Sequence, residues 1–426
     1  MKKLWVIMLA LILPVSFLMA GGGAQSGGAQ SAAQGGGASS SSTKGIEYWY
    51  DKPNPDGETA LTKAMADASG VPVTIISYTD VASYQTAIQQ SARTPQAPGL
   101  FTWWSGYQLK SLVDNGLLED LTDLWKTSII PNGVSADVAN SLMFNGKIYA
   151  APFALLNNTI VYNKKIFNRL GLKEPTTFPE FLDVCAKIKA AGITPIGHHS
   201  ASWGSFVWLQ IMLGSYDPQL YLDICSGKEK YTGDKMRAAM SVWDDMLNKG
   251  YFAAPRDDWT RALADEEIAM ANFTTGDPVG FTRDYGLQPM VDYDTFVMPS
   301  QNPKNKAPIF FEVAPLCVSA NSAQKAQALE VMKKYYTTPV QQVFSDNYGY
   351  VNSSNVKVAN PVTAKMYAFS AQTDKYQMIL RFYENTPADL RDVVITEMAR
   401  FWARQGTLDQ VLTACQAKAD QVFGNN

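Results

Sequence analysis

Histidine is almost absent from this 426-residue sequence: there are two, His198 and His199, side by side. Adjacent side chains do not readily close on one metal ion, which disfavours a histidine-based zinc centre. Cysteine is also scarce, with Cys185, Cys225, Cys317 and Cys415 widely spaced and no Cys-x-x-Cys pair. An exported chain is permitted disulfides, but Cys185 and Cys317 sit in apolar segments, so buried thiols are the expectation. The formal net charge is −3, which argues against nucleic acid, whose partners present a basic face. The motifs Gly-x-Ser-x-Gly and His-Glu-x-x-His and the phosphate-binding Walker loop are all missing. Three acidic clusters, Asp244-Asp245, Asp257-Asp258 and Asp265-Glu266-Glu267, would be enough for glycoside hydrolysis if two carboxylates were suitably placed. They lie in helical, Lys/Arg-rich stretches where a solvated face is the ordinary reading. Neither catalysis nor a cofactor is expected.

What is present begins with an export signal. Lys2 and Lys3 form a positive start, Leu4 to Met19 an apolar run broken by Pro14, and Leu18-Met19-Ala20 a small-residue cleavage site. Residues 1–20 are therefore expected to be a signal peptide rather than a membrane anchor. Residues 21–44 are rich in Gly, Ser, Ala and Gln, the composition of a flexible linker. The remaining body of about 380 residues exceeds one compact core and suits two domains.

The body opens with alternating strand and helix signals. Ile46–Tyr50 reads as a strand, and Asp56 can cap a helix carrying Leu61, Ala64, Met65 and Ala68 to Gly70. Val71–Tyr78 reads as a strand, Ser83–Arg93 as a helix and Pro98–Trp103 as a strand. Repeated strand–helix–strand units imply a parallel sheet with right-handed crossovers. Ligands of such sheets bind beyond the carboxyl ends of the strands, so the loops after Tyr50, Trp103 and Ala154 are the places to search.

The stretch from Asn145 to Gly192 is the most informative. Strand-like Thr159–Tyr162 leads into Asn163-Lys164-Lys165-Ile166-Phe167, a Gly-Leu turn and a proline. Thr177-Phe-Pro-Glu180 then has capping-box spacing, in which hydroxyl and carboxylate satisfy orphan amides at a helix start. Phe181, Val184, Cys185 and Ile188 fall on one buried face, and Gly192 suits a left-handed cap. The ordered set Asn-Gly-Lys-x-Tyr-x-x-Pro, Tyr-Asn-Lys-x-x-Phe and Gly-Leu-x-x-Pro-x-Thr-x-x-Glu-Phe resembles the family 1 extracellular solute-binding proteins. Further likeness comes from the "EEIAMANF" segment around Ile268–Phe273 and from the helix after Ser322, with Ala326, Leu329, Met332 and Tyr336 on one side. The closing helix "TLDQVLTACQAKADQVF" is similar to the family's as well.

The resemblance implies two doubly wound α/β lobes joined by three hinge strands, with a ligand cleft between them, as in type II periplasmic binding proteins of the maltodextrin-binding kind. It implies lobes of 45–156 plus 309–348 and 157–308 plus 349–426, Pro308–Val318 as a return crossing and Tyr348-Gly349-Tyr350 as the last. It implies a carbohydrate ligand, an ABC import permease as partner, a monomeric chain, and a place in the periplasm or at the outer face of the membrane. Three departures stand out. Lipoprotein members carry a cysteine at the cleavage site, whereas the first here is Cys185. Gly99 replaces a usual aspartate after Pro98, and Phe310-Phe311 replaces a frequent Gly-Gly.

A sugar offers C–H patches on its ring faces and hydroxyls around its rim, so its site needs flat aromatic rings with planar donors and acceptors. Trp103 and Trp104 end the third strand, and in extended chain only one of two adjacent rings can face the cleft. Trp103 coincides with a sugar-stacking aromatic of maltodextrin-binding relatives. Trp203 reads as a loop ring before an apolar helix, whereas Trp208 on that helix reads as core. Asn157, of the Asn157-Asn158 pair, is a candidate at the first crossing, where asparagine also suits a bend. Asp277 is a candidate acceptor, against a turn-forming role. Phe311 and Glu312 sit on the return crossing, Tyr50 and Asp51 end the first strand, and Tyr383 is a C-terminal candidate. A Tyr335-Tyr336 pair for iron is disfavoured by its helical register.

Overall fold

A computed structural model describes residues 45–199 and 202–424. The expected signal peptide and linker lie outside the described residues. Among the described residues, no helix is long and apolar enough to cross a membrane.

The strands are β1 (Ile46–Tyr50), β2 (Val73–Ser77), β3 (Leu100–Thr102), β4 (Met143–Phe144), β5 (Lys147–Ile148), β6 (Ala151–Asn163), β7 (Thr194–Ile196), β8 (Ile268–Thr274), β9 (Tyr293–Phe296), β10 (Ala307–Val318) and β11 (Tyr376–Leu380). One sheet runs β2-β1-β3-β10-β6-β8-β7, with β11 beside β10 and β9 beside β6; β4 and β5 form a separate hairpin. β1 is parallel to β2 and β3, as the strand–helix alternation requires. β10 returns antiparallel to β3 and β6.

The two long strands are the key to the architecture, because each changes partner along its length. β6 pairs with β10 up to Asn157 and with β8 from Asn158 onward. β10 pairs with β11 over Ala307–Phe311 and with β6 from Phe311 onward. Each strand therefore leaves one core and enters another. Tyr48, Leu100, Phe153, Leu316 and Phe344 belong to the first core. Ile160, Phe181, Trp208, Trp243 and Leu412 belong to the second. The third crossing differs from expectation. A helix over Thr338–Tyr348 ends at Gly349, whose φ of +73° gives a left-handed cap, and the following segment is irregular rather than a strand. It is pinned to β6 by side chains: Asn352 Nδ2 donates to Phe153 O at 2.7 Å, and Val351 N donates at 3.0 Å to Tyr367 Oη, which itself donates to Leu155 O at 2.7 Å.

Local signals explain many helix limits. The helix Phe178–Ala190 carries the expected Thr177/Glu180 capping box and buries Phe181, Val184, Cys185 and Ile188; Gly192 beyond it has φ +81°. A second capping box, Thr407 with Gln410, opens the last helix, Leu408–Phe423. One cap and one helix face differ from expectation. Asn54 rather than Asp56 caps the first helix, Pro55–Ser69, accepting from Gly57 N. The helix Lys325–Tyr335 starts after Gln324 and buries Ala328, Val331, Met332 and Tyr335, a face offset from the expected one, though Tyr336 just beyond it is buried too. Ser322 instead donates to Ala97 O at 2.7 Å, tying that turn to the start of β3. The four cysteines are free and buried. Tyr335 and Tyr336 are core, donating to Phe153 O and Pro152 O.

Candidate functional site

The partner switch in β6 and β10 builds a cavity floor. Opposed residues of an antiparallel pair share a face, and successive residues alternate faces. Leu156 stands opposite Glu312, so Leu156, Asn158 and Glu312 share one face. All three line a cavity of about 450 Å³, within the usual range for small-ligand sites. Asn157 and Phe311, also opposite one another, share the other face and do not line it. Two candidates are corrected by this parity: Asn158 takes the place of Asn157, and Glu312 alone of its pair faces the cavity.

Aromatic rings form the walls. From the first half of the sheet comes Trp104, its ring 6.0 Å from Tyr383 and 5.2 Å from Trp103. Trp103 itself is 2% exposed and packs on Phe101 and Tyr84, so it is core rather than cleft. From the second half come Phe206, Phe273 and Trp259, the last two stacked at 4.1 Å and 20°. Tyr350 closes another side. Its position requires glycine opposite: a Cβ on Gly276 would lie 2.3 Å from Tyr350 Cε1. Trp203 is in the first turn of the helix Ser202–Tyr216, not in a loop, and its side chain lies outside the described residues. Trp208 on that helix is core, 2% exposed, with its ring 4.9 Å from Phe252.

Charges form a chain through the floor. Asp51 accepts from Thr102 Oγ1 at 2.5 Å and pairs with Lys52 at 3.1 Å. Lys52 Nζ lies 3.9 Å from Glu312 Oε1, and Arg381 Nη1 lies 2.7 Å from Glu312 Oε2. Arg381 also grips Glu384 through two hydrogen bonds, 2.9 and 2.5 Å. Burial works against the charge on Lys52, but Asp51 and Glu312 outweigh it and hold the ammonium above its usual range. The same balance keeps Arg381 charged, with Glu312 and Glu384 as its partners. Burial pushes Glu384 up, against the pull of Arg381. Glu312 is 3% exposed, and its Oε1 has no hydrogen-bond partner. A buried carboxylate oxygen in that state is costly unless something donates to it.

Asp277, the first residue of the helix Asp277–Tyr285, also reaches the cavity. Its Oδ2 accepts from Thr274 N at 2.6 Å and Thr274 Oγ1 at 3.0 Å, so it closes a turn and faces the cleft at once. Burial raises its pKa, and the Thr274 hydrogen bonds oppose the rise. Tyr383 lines the cavity with the Arg391 guanidinium 4.0 Å from its ring centroid. Tyr50 is 1% exposed and lies on a second, adjoining cavity rather than this one. Among the described residues, no group of acidic, His or Cys side chains is placed to hold a metal ion.

Sequence reasoning missed Lys52, Phe206, Trp259, Asn272, Tyr350 and Arg381, and took Asn157 over Asn158. Lys52 and Asn158 adjoin residues it singled out. Trp259 had a signal, a lone large ring amid the charges of Arg256-Asp257-Asp258. Arg381 had none, because its place depends on β11 pairing with β10, Ala307 opposite Tyr376, far apart in the chain.

Known proteins bear out the fold. The diacetylchitobiose binding protein DasA of Streptomyces coelicolor is 28% identical over 238 residues, 53% of each chain, so the chain spans about half that relative's length. The solved structure of the bacterial solute receptor AcbH, described with an exclusive preference for β-D-galactopyranose, superposes with a TM-score of 0.77 at 18% identity, covering 89% of this chain and 100% of that one. A chitin oligosaccharide binding protein superposes with a TM-score of 0.76 at 19% identity, covering 88% and 98%. These likenesses give the fold as the type II periplasmic binding protein, two α/β lobes with a cleft between them. Residues 60–371 match the family described as bacterial extracellular solute-binding protein, and the chain belongs to that family.

Proposed function

We propose that this protein captures a sugar or oligosaccharide in the cleft and hands it to the permease of an ABC importer. The observation that carries this reading is Glu312, which lines a cavity walled by Trp104, Tyr383, Phe206 and Trp259 and whose buried Oε1 has no hydrogen-bond donor. A sugar hydroxyl supplies the missing donor, and its ring faces suit the aromatic walls. The names of the diacetylchitobiose, galactopyranose and chitin-oligosaccharide relatives support the same ligand class.

Charge narrows the class. Asp51, Asp277 and Glu312 line the cavity against Lys52 and Arg381, and both cations are already paired. A phosphate or uronate would meet a surplus of carboxylate with no free cation to bind it, so a neutral ligand fits better than a sugar phosphate. The lobes divide as 45–156 plus 309–348 and 157–308 plus 349–426. The protein works outside the cytoplasm, as a monomer exported by its signal peptide, and as a carrier rather than a hydrolase. The ligand-binding residues are Trp104, Asn158, Trp203, Asp277, Glu312 and Tyr383, with Tyr50 at the edge.

The test is a thermal-shift panel of neutral sugars, sugar phosphates and polyols, since a bound ligand raises the melting temperature by mass action. Stabilisation by neutral saccharides alone is expected. Stabilisation only by phosphorylated or non-sugar solutes overturns the reading, and so does a shortened product after incubation with oligosaccharides.

A further inference from the structure

The two histidines of this chain face different ways. His198 is buried and lies flat on Trp402, ring centroids 3.6 Å apart at 15°. Its neighbour His199 lines the same cavity as Glu312, Trp104 and Tyr383. Adjacent side chains of an extended chain point to opposite sides, so anchoring His198 in the core turns His199 toward the cavity. The backbone holds this arrangement. Gly197 N donates to Met270 O at 2.7 Å, Arg256 N donates to His198 O at 3.1 Å, and His199 bridges to Arg256. Gly204 packs against the pair so closely that a Cβ there would lie 2.5 Å from both His198 Cε1 and His199 O. Trp259 meets His199 edge-on, ring centroids 5.5 Å apart, and stacks in turn on Phe273; both rings line the cavity. The imidazole is thus a fixed part of the cavity wall.

Histidine is the side chain whose ordinary titration range lies between pH 5 and 8. A neutral imidazole offers a ligand hydroxyl one donor and one acceptor, whereas the protonated ring offers donors only, and a charge. The charged groups beside His199 are His198 and the Arg256-Asp257-Asp258 segment, in which Arg256 is engaged by Asp258 and Glu267. The rest of the cavity wall contributes Asp51, Lys52, Asp277, Glu312 and Arg381. Burial holds the His199 imidazole below its ordinary range, against the opposing pull of Asp257, so the ring is neutral at pH 7. A neutral ligand filling the cavity takes further water from it and disfavours the charged form more strongly. Binding then expels a proton wherever the empty site is protonated, and by linkage affinity falls as pH falls there, by at most about tenfold per pH unit.

Resting on the reading of a neutral sugar ligand, we propose that His199 contacts the ligand and makes its capture pH-sensitive, tight at neutral pH and weaker in acid.

Calorimetric titration with galactose, raffinose and diacetylchitobiose between pH 7.5 and pH 5, in two buffers of different ionisation enthalpy, reads affinity and proton release together. For a sugar that binds, wild-type affinity should fall about fivefold or more over that window, with protons released on binding at its acid end. Asp277 lines the same cavity and burial pushes its carboxyl up, so variants are needed to assign the effect. His199→Gln, which has no titrating group, should lose most of the proton release and most of the pH slope. His198→Phe, altered only in the core, should release protons as wild type does. Melting each variant at each pH checks that the titrated samples are folded. Binding without proton release in the wild type, or undiminished release in His199→Gln, overturns the proposal while leaving sugar capture standing. Failure of all three saccharides to bind overturns sugar capture and this proposal with it.

Discussion

Glu312→Gln separates a ligand acceptor from a structural ion pair. In the wild-type protein, Oε2 is held by Arg381 at 2.7 Å, and Oε1 has no hydrogen-bond partner. Glutamine keeps the shape and one acceptor but removes the charge. A hydrogen bond to a charged group contributes about 1.5–3 kcal/mol and a neutral one about 0.5–1.5. The difference of about 1–1.5 kcal/mol should weaken sugar binding five- to tenfold. The fold should tolerate the change, because neither cation is orphaned: Arg381 keeps its two hydrogen bonds to Glu384, and Lys52 keeps Asp51 at 3.1 Å. Titration calorimetry and melting of the same sample give both numbers. Unchanged affinity would mean that no ligand group donates to Glu312, and the site would have to be sought elsewhere.

Arg381→Met is the complementary perturbation. It leaves two carboxylates, Glu312 at 3% and Glu384 at 0% exposure, without their shared cation. Removing one partner of a buried pair costs about 3–5 kcal/mol. With about 2.1 cal/mol/K of unfolding entropy per residue over about 380 residues, that is a fall of about 4–6 °C in melting temperature. The sign of its pH dependence follows from Glu384, whose pKa burial already raises. Without Arg381 the rise is larger, so on acidification the folded chain takes up a proton before the unfolded chain does. The deficit should therefore shrink between pH 7.5 and pH 5. A deficit that is constant over that window would show that the charge pair is not its cause.

Trp208→Ala, which empties a site 2% exposed, should lower stability by about 3–5 kcal/mol; a loss under about 1 kcal/mol in denaturant melts would contradict the core assignment. His198 stacks on Trp402 at 3.6 Å, and burial, with His199 adding, pulls its pKa down to about 3. Below pH 6.5 the unfolded chain gains a proton that the folded chain refuses, so stability falls by about 1.4 kcal/mol per pH unit; His198→Phe should melt with a shallower acid slope, and an equal slope would refute this. Saturating ligand should reduce the radius of gyration in small-angle scattering as the lobes close, and an unchanged radius with binding demonstrated would rule out a hinge.

What the sequence disclosed was what neighbours in the chain decide. The Thr177/Glu180 box, the buried face from Phe181 to Ile188 and the Gly192 turn are settled within about one helix, and they appear as expected. Burial of the cysteines followed from their apolar surroundings. The long-range signals were coarser. Alternating strands and helices gave a parallel sheet, but not that β6 runs for 13 residues through both cores. The third crossing carried tyrosines that suggested a strand; Gly349 and the pins from Asn352 and Tyr367 make it irregular instead.

The site was legible only to within one residue, and the reason lies in the pleat. Side chains alternate faces with a period of two, so knowing which strand borders a cleft leaves two choices at every pair. Asn157 against Asn158 and Phe311 against Glu312 are the same choice made once, because their strands are locked in register with Glu312 opposite Leu156. Nothing within either strand decides it. Trp103 against Trp104 is decided separately, where Trp103 N donates to Pro315 O and holds its ring among Phe101 and Tyr84. The charged floor draws on still longer range: Asp51-Lys52 at the end of β1, Glu312 on β10 and Arg381 beyond β11 meet only once all three strands share a sheet. Of these, β10 is the strand that runs from one core into the other, so Glu312 sits between Lys52 at the end of β1 and Arg381 beyond β11. Closure about β10, the motion that scattering would detect, should therefore move Lys52 and Arg381 relative to the Glu312 carboxylate between them.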